Sequence, residues 1–209
     1  MTFDALVADI ETTAAAAGPG RWLLGIAGAP ASGKSTLAEN LAEAVRGARM
    51  LPMDGFHLDD AVLRAHGDLP RKGAPHTFDP AGFCALLKRA RHEERVYAPA
   101  FDRRLELSRA AAIEITPEDS ILIVEGNYLL HDRDGWENVA PLLDACWFLD
   151  VEETALEARL TDRWTGLGLP DAEVRRKVHE NDLLNARIVA EGKARADRVL
   201  GLSDLGVVG

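Results

Sequence analysis

The sequence predicts an α/β fold in which a doubly wound, mostly parallel sheet is covered by helices on both faces. Three observations predict it. Short apolar runs alternate with stretches of helical periodicity, and parallel strands need the crossovers that such alternation supplies. A glycine-containing segment, residues 28–35, separates one apolar run from one helical pattern. Two further runs deliver an acid, Asp54 and Glu125, to their carboxyl ends, the edge where open parallel sheets hold ligands. With 209 residues the chain is long enough for one well-packed domain and short for two, so a single domain over residues 1–209 is expected.

Each element has its own signal. Phe3, Leu6, Val7 and Ile10 fall at helical spacing and predict an amphipathic helix from Thr2 to about Ala17, ended by Gly18-Pro19-Gly20. Trp22 to Ala27 is an apolar run of the kind buried on both faces of a sheet. Lys34 to Arg46 reads as a helix and Arg49 to Met53 as a second strand. Residues 66–79, HGDLPRKGAPHTFD, lack periodicity and predict a loop or small insertion over the site. Pro80, a residue favoured at the first helical position, opens a helix to about His92 with Phe83, Leu86 and Leu87 inward. Val96–Phe101 and Ala112–Ile115 predict a short β pair, Ser120–Val124 a central strand running into Glu125-Gly126, and Cys146–Asp150 another strand. Helices are expected from Val151 to about Trp164 and from Asp171 to Glu191, parted by Gly166-Leu167-Gly168, with a last strand at Arg198–Leu200.

Composition narrows the function classes. A formal net charge of -10 opposes binding to nucleic acid or to an anionic membrane surface, so neither is expected as a partner. The two cysteines, Cys84 and Cys146, form no CxxC pair and lie in apolar stretches, which predicts buried thiols rather than a disulfide or metal framework. The acidic start MTFDALVADIET is unlike a signal peptide, and no apolar run approaches the length of a membrane span. A cytoplasmic location is expected.

Residues 28–35 read GAPASGKS and match G-x-x-x-x-G-K-[ST], the phosphate-binding P-loop, without a gap. Gly28 and Gly33 remove side chains that would obstruct a backbone curled around phosphate. Lys34 supplies a point charge for the β- and γ-phosphates, Ser35 a hydroxyl for Mg²⁺, and the following helix its positive end. Gly28, Ala29, Ala31, Ser32, Gly33, Lys34, Ser35 and Thr36 are thus the expected nucleotide-binding set. ATP and Mg²⁺ are the expected cofactors, and the sheet is expected to be that of a P-loop NTPase.

Two acids add chemistry to binding. Asp54, in Met53-Asp54-Gly55-Phe56-His57, should share a cleft with Lys34, where a carboxylate could accept a proton from an attacking hydroxyl or hold a Mg²⁺-bound water. Capping of the next turn is the other reading of an aspartate there. Glu125, closing the buried run ILIVEG, occupies the Walker B place and is expected to orient Mg²⁺ with Ser35; a structural ion pair is the other reading. His57 is a candidate for substrate contact or for a structural hydrogen bond. No His–acid pair has metal-helix spacing, so zinc is not implied. No NKxD or LSGGQ-like segment is present, which weakens GTPase and transporter-ATPase readings and leaves an ATP-binding regulator as the rival of another class.

With these elements in order, the chain resembles the superfamily of uridine kinase, phosphoribulokinase and type I pantothenate kinase. The similarity runs from about Leu23 to Leu200 and is carried by GAPASGKS, PMDGFH, GAPHTFD, PAFDRRLELSR and ILIVEGNYLL. It implies a kinase transferring the γ-phosphate of ATP to a hydroxyl of a small molecule, with Lys34, Asp54, Glu125 and Arg163 catalytic and Asp54 the general base. Asp79 resembles the acid that holds substrate hydroxyls in uridine kinase, and Phe101 an aromatic packing on substrate. Glu106 stands where uridine kinase has a base-contacting histidine. That departure counts against a nucleoside and favours a polyhydroxylated sugar, because a carboxylate accepts hydrogen bonds from several hydroxyls. The chain is similar to the branch named for fructose transport, with nucleosides, pantothenate and phosphosugars as the alternative acceptors.

The resemblance also implies a helical lid over about residues 152–176 and a substrate-side insertion over about 56–106. Arg159 and Arg163, four apart on one helical face, are expected to close over ATP; pairing with Glu152, Glu153 or Glu157 is the rival reading. Arg175 and Arg176 could contribute, and Gly166 and Gly168 are plausible pivots. Arg103 and Arg104 fall near Phe101 and Asp102, where one could contact an acidic substrate group and a merely exposed arginine is the other reading; Arg104 is carried as the substrate-side candidate. Superfamily relatives are often dimers or tetramers, which leaves a homodimer open.

Overall fold

All seven residues of the strand Trp22–Gly28 are buried, as a central strand covered on both faces demands. The computed structural model describes residues 2–201. In chain order it holds α1 (Phe3–Ala16), β1 (Trp22–Gly28), α2 (Lys34–Ala44), β2 (Ala48–Pro52), α3 (Asp60–His66), α4 (Pro80–His92), β3 (Val96–Asp102), β4 (Leu107–Ile115), β5 (Ile121–Gly126), β6 (Ala145–Asp150), α5 (Glu153–Gly166), α6 (Asp171–Lys177), α7 (Leu183–Ala190) and β7 (Arg198–Gly201). Five strands form a parallel sheet in the order β2-β5-β1-β6-β7.

Because successive side chains point to opposite faces, the sheet sorts its apolar residues into two cores. Leu24, Ile26, Ile123 and Leu149 pack with Leu6 and Ile10 of α1 and Leu37 and Leu41 of α2. Leu23, Ala27, Leu122, Val124 and Phe148 pack with Phe83, Leu86 and Leu87 of α4 and Val189 of α7. Cys84 and Cys146 are buried in this second core.

The hairpin of β3 and β4 is antiparallel and separate from the main sheet. It is longer than the periodicity of residues 112–115 indicates, since residues 107–112 are exposed or half-buried and carry no apolar alternation. The segment before it is also more ordered than its polar sequence suggests. α3, unforeseen, is capped by Asp59, whose side chain accepts from the Ala61 N–H, and ends at Gly67 with φ 80°. Residues 66–79 contain short 3₁₀ turns at Leu69–Arg71 and Pro75–Thr77. Two buried side chains pin them: the Tyr128 hydroxyl donates to the Gly73 carbonyl (2.6 Å) and Trp136 Nε1 to that of Pro75 (3.1 Å). The helix expected from Asp171 to Glu191 is broken by a π-helical turn at Val178–Asp182, which periodicity alone cannot register.

Candidate active site

The P-loop joins β1 to α2 at the carboxyl edge of the sheet. Its glycines act for different reasons. A Cβ on Gly28 would come within 2.9 Å of Ser32 Oγ and 3.1 Å of the Leu149 carbonyl, so that position is limited by space. Gly33 has open space around it but a φ of 94°, so it is limited by backbone conformation. Ala31 also has positive φ, 61°. Left-handed residues alternating with right-handed ones turn successive N–H groups toward one point, an anion-binding nest, and the strained alanine marks a site rather than a stretch of scaffold.

Buried Lys34 extends its ammonium to within 3.4 Å of the Ala29 carbonyl and 3.4 Å of Glu125 Oε1. The Ser35 hydroxyl donates to the same Glu125 oxygen at 3.1 Å. Strand register explains the meeting: Glu125 on β5 is level with Ile26 on β1, and Pro52 on β2 is level with Glu125. Asp54, two residues past Pro52, therefore stands at the same edge. Close approach is built in, since a Cβ on Gly126 would collide with Met53 Cβ at 2.6 Å. Burial pushes the Glu125 carboxyl above the usual carboxylate range, with Asp54 adding to the push and Lys34 and Ser35 opposing it.

These oxygens suit a hard divalent cation. Ser35 and Glu125 supply a hydroxyl and a carboxylate, and two residues on, the buried Asn127 Oδ1 has no hydrogen-bond partner among the described residues. Mg²⁺ takes few protein ligands and keeps water and phosphate oxygens for the rest, so such a sparse set fits it.

Around Asp54 lies a second group of side chains. Arg103 Nη2 donates to Asp54 Oδ2 at 2.5 Å. Nδ1 of His57 lies 2.8 Å from the Asp54 carbonyl oxygen; a carbonyl only accepts, so Nδ1 carries the proton and Nε2 of the neutral ring presents a lone pair. Burial lowers the His57 pKa, which favours that neutral form. The ring packs between Phe78 (4.0 Å) and Phe101 (4.5 Å). Lys72 lies 5.1 Å from the Phe101 ring centre and donates to Asp60 Oδ1 (2.7 Å), the Glu106 carbonyl (2.9 Å) and Glu106 Oε2 (3.2 Å). Asp79 caps α4, its Oδ1 accepting from the Gly82 N–H at 2.8 Å.

Neither arginine of α5 pairs with Glu152, Glu153 or Glu157; Glu153 pairs with Arg187 and Glu157 lies 3.7 Å from His179. Arg159 Nη1 donates to the Ser32 carbonyl at 3.2 Å and reaches that of Ala31 at 3.4 Å. Arg163 stacks near Trp164, 5.3 Å from its ring, and feels the charges of Arg103, Asp182, Asp54 and Glu106. Trp164 in turn donates to Asp182 Oδ2 in the π turn (2.7 Å). Ser32, Gly33, Thr36 and Arg159 line an open cleft of about 570 Å³ that extends to Phe3 and Asn40, a size that accommodates a small ligand.

The structure thus brings Lys34, Ser35, Glu125 and Asp54 to one edge, with Arg159 on the P-loop and His57 and Phe101 beside Asp54. Arg103, not Arg104, reaches Asp54; the Arg104 side chain has no partner among the described residues, and its N–H donates to Asp102 Oδ1. Lys72 and Asp182 escaped sequence reasoning. Lys72 lies in an aperiodic loop, one residue outside GAPHTFD, and Asp182 in a helix-breaking turn.

No protein-family model matches the chain. A candidate uridine kinase of Schizosaccharomyces pombe is 34% identical over 195 residues, spanning 86% of this chain and 83% of that one. The crystal structure of a candidate fructose transport system kinase from a Silicibacter species is 44% identical and superposes with a TM-score of 0.90 over 96% of this chain and 99% of that one. YFH7 of Saccharomyces cerevisiae, a candidate P-loop kinase with a circular permutation, superposes with a TM-score of 0.78 over 96% of this chain and 98% of that one. At 21% identity it speaks to the fold alone.

Proposed function

Because the chain belongs to the uridine kinase-like P-loop kinases, we propose that it transfers the γ-phosphate of ATP to a hydroxyl of a small polyhydroxylated metabolite, a sugar such as fructose foremost. The observation that carries this reading is the convergence of Lys34 and Ser35 on one oxygen of Glu125, with Asp54 at the same edge. Phosphoryl transfer is largely positioning and charge neutralisation, and this arrangement supplies both. The kinase named for fructose transport is the relative that points to a sugar.

In this reading the nest of residues 28–35 holds the β- and γ-phosphates, Lys34 turns from Glu125 toward their charge, and Arg159 and Arg163 close over them from α5. Mg²⁺, when bound by Ser35 and Glu125, neutralises phosphate charge. The acceptor rests against Phe101 and His57 with its hydroxyl at Asp54. The hydroxyl oxygen forms a bond to γ-phosphorus as the bond to the β-bridging oxygen breaks and ADP leaves; the hydroxyl proton passes to Asp54. Residues 152–176 then act as the lid and 56–106 as the acceptor side.

The test is acceptor-dependent ADP release across sugars, nucleosides and pantothenate. Asp54→Asn should lower kcat by roughly 10²–10⁴-fold. Wild-type turnover in that variant removes Asp54 as the base. Tight ATP binding with no acceptor phosphorylated turns the reading toward an ATP-binding regulator.

A further inference from the structure

On the acceptor side each carboxylate has one oxygen engaged, Lys72 is spent on Asp60 and Glu106, and Arg103 keeps donors to spare. Glu106, expected to bind sugar hydroxyls, gives Oε2 and its carbonyl to Lys72. One oxygen of Asp79 caps α4. Asp54 is half engaged: Oδ2 accepts from Arg103, while Oδ1 has no hydrogen bond among the described residues. Arg103, by contrast, uses one N–H of its fork, and its side chain is 56% exposed. A neutral polyol needs carboxylates to receive its hydroxyl protons, and each of these three has one oxygen already engaged. A planar guanidinium with open donors suits carboxylate or phosphate oxygens.

Resting on the kinase reading above and naming its substrate class, we propose that the acceptor is a polyol bearing an anionic group, carboxylate or phosphate, held by Arg103 beside Asp54. Arg103 then has two tasks. It fixes Oδ2 so that Oδ1 faces the reacting hydroxyl, and it receives the anion on the neighbouring part of the same molecule. Lys72 and Arg163, each within electrostatic reach of this corner, offset the charge that the acceptor brings in. His57 Nε2 provides the lone pair for a second hydroxyl. Within a chain of net charge -10, this corner is where an anionic metabolite finds cations.

The experiment compares matched acceptors: glycerol, glycerate and glycerol 3-phosphate, then fructose, gluconate and fructose 6-phosphate. ADP release is measured with wild type, Arg103→Gln, Arg103→Lys and Arg104→Gln, and the melting temperature of each variant checks folding. Wild type should prefer one anionic member of a set over its neutral counterpart by roughly 10-fold or more in kcat/KM, as charge-assisted pairing predicts. The preferred member tells carboxylate from phosphate. Arg103→Gln should abolish the preference, chiefly by raising KM for the anionic acceptor; Arg103→Lys should restore part of it, and Arg104→Gln should leave it. Preference for the neutral polyol, or an unchanged ratio in Arg103→Gln, overturns the proposal while leaving the kinase reading intact. A ratio that collapses in Arg104→Gln alone also overturns it. If no acceptor supports ADP release and none shifts the melting temperature in the presence of ADP, both readings fall together.

Discussion

Replacing Glu125 by Gln separates what this residue does for folding from what it does for chemistry. Unit charges 3.4 Å apart attract by roughly 5 kcal/mol at an effective dielectric of about 20. Against that attraction stands the cost of holding a carboxylate with 4% of its surface exposed, and burial wins, since the Glu125 pKa is raised despite Lys34 and Ser35. Glutamine removes the buried negative charge but keeps an oxygen that accepts from both the Ser35 hydroxyl and the Lys34 ammonium, which the Ala29 carbonyl also holds. The stability change should therefore be small, within about 1 kcal/mol, or about 2–4 °C in melting temperature for a domain of this size. Turnover should fall by roughly 10²–10³-fold, because a preorganised charge is lost from the phosphate site. Lys34→Met is the mirror case, stranding a buried carboxylate. A folded-state carboxyl with a raised pKa contributes stability below its unfolded value near 4.5 and loses it as pH rises. The Lys34→Met deficit should thus be largest at pH 7–8 and shrink toward pH 5. Thermal melts at both pH values and acceptor-saturated rates decide the matter. A Glu125→Gln protein destabilised by 3 kcal/mol, or one turning over like wild type, refutes the reasoning.

Three further outcomes are expected. Gly28→Ala should weaken ATP binding by displacing Ser32, whereas Gly33→Ala should lower stability by about 1–2 kcal/mol through left-handed strain; isothermal titration and thermal melts tell the two apart. His57 has a lowered pKa, so its neutral form belongs to the folded state; stability contributed by this ring is present above pH 6.5 and is lost as pH falls through the folded pKa, a loss that His57→Gln should remove in melts from pH 7.5 to 5.5. Cys146, its thiol pushed up to about 12 by burial, and Cys84, raised for the same reason, should resist alkylation at pH 8 until the protein is unfolded, as mass spectrometry of iodoacetamide-treated samples will report.

What could be read ahead of the structure follows physical lines. The P-loop, β1 and β5 were legible because a buried parallel strand must be apolar throughout and the nest requires glycine at set positions, so sequence and geometry are one constraint there. Asp54 and Glu125 were legible for a related reason: strand ends of a parallel sheet share an edge whatever the crossovers do. The acceptor side was less so. Arg103, Arg104 and Glu106 are adjacent in an exposed turn, and which of them reaches Asp54 depends on the path of the hairpin, including the register shift between Ala98 and Ala100. No local pattern encodes that path. Asp79 shows the converse, since Asp followed by Pro is also a helix-start signal, and capping explains the residue without a substrate.

The π turn illustrates why the two halves of the site cannot be understood apart. Arg71 donates to the Glu180 carbonyl (2.6 Å) and Asn181 Nδ2 to that of Lys72 (3.0 Å), so the acceptor-side loop is fastened to residues 178–182. Asp182 of the same turn receives Trp164, the neighbour of Arg163 on α5. A regular helix repeats its contacts every turn, but an inserted residue rotates the following side chains, and here it lets adjacent Asn181 and Asp182 serve different elements. Lys72, which holds Glu106 and lies over Phe101, and Arg163, which belongs to the phosphate end, thus share one mechanical anchor. Substituting Asn181 by Leu would sever the bond to the Lys72 carbonyl while leaving Arg71–Glu180 and Trp164–Asp182 in place. That change should raise the acceptor KM more than the ATP KM, and an equal rise in both would mean that the turn positions neither side selectively.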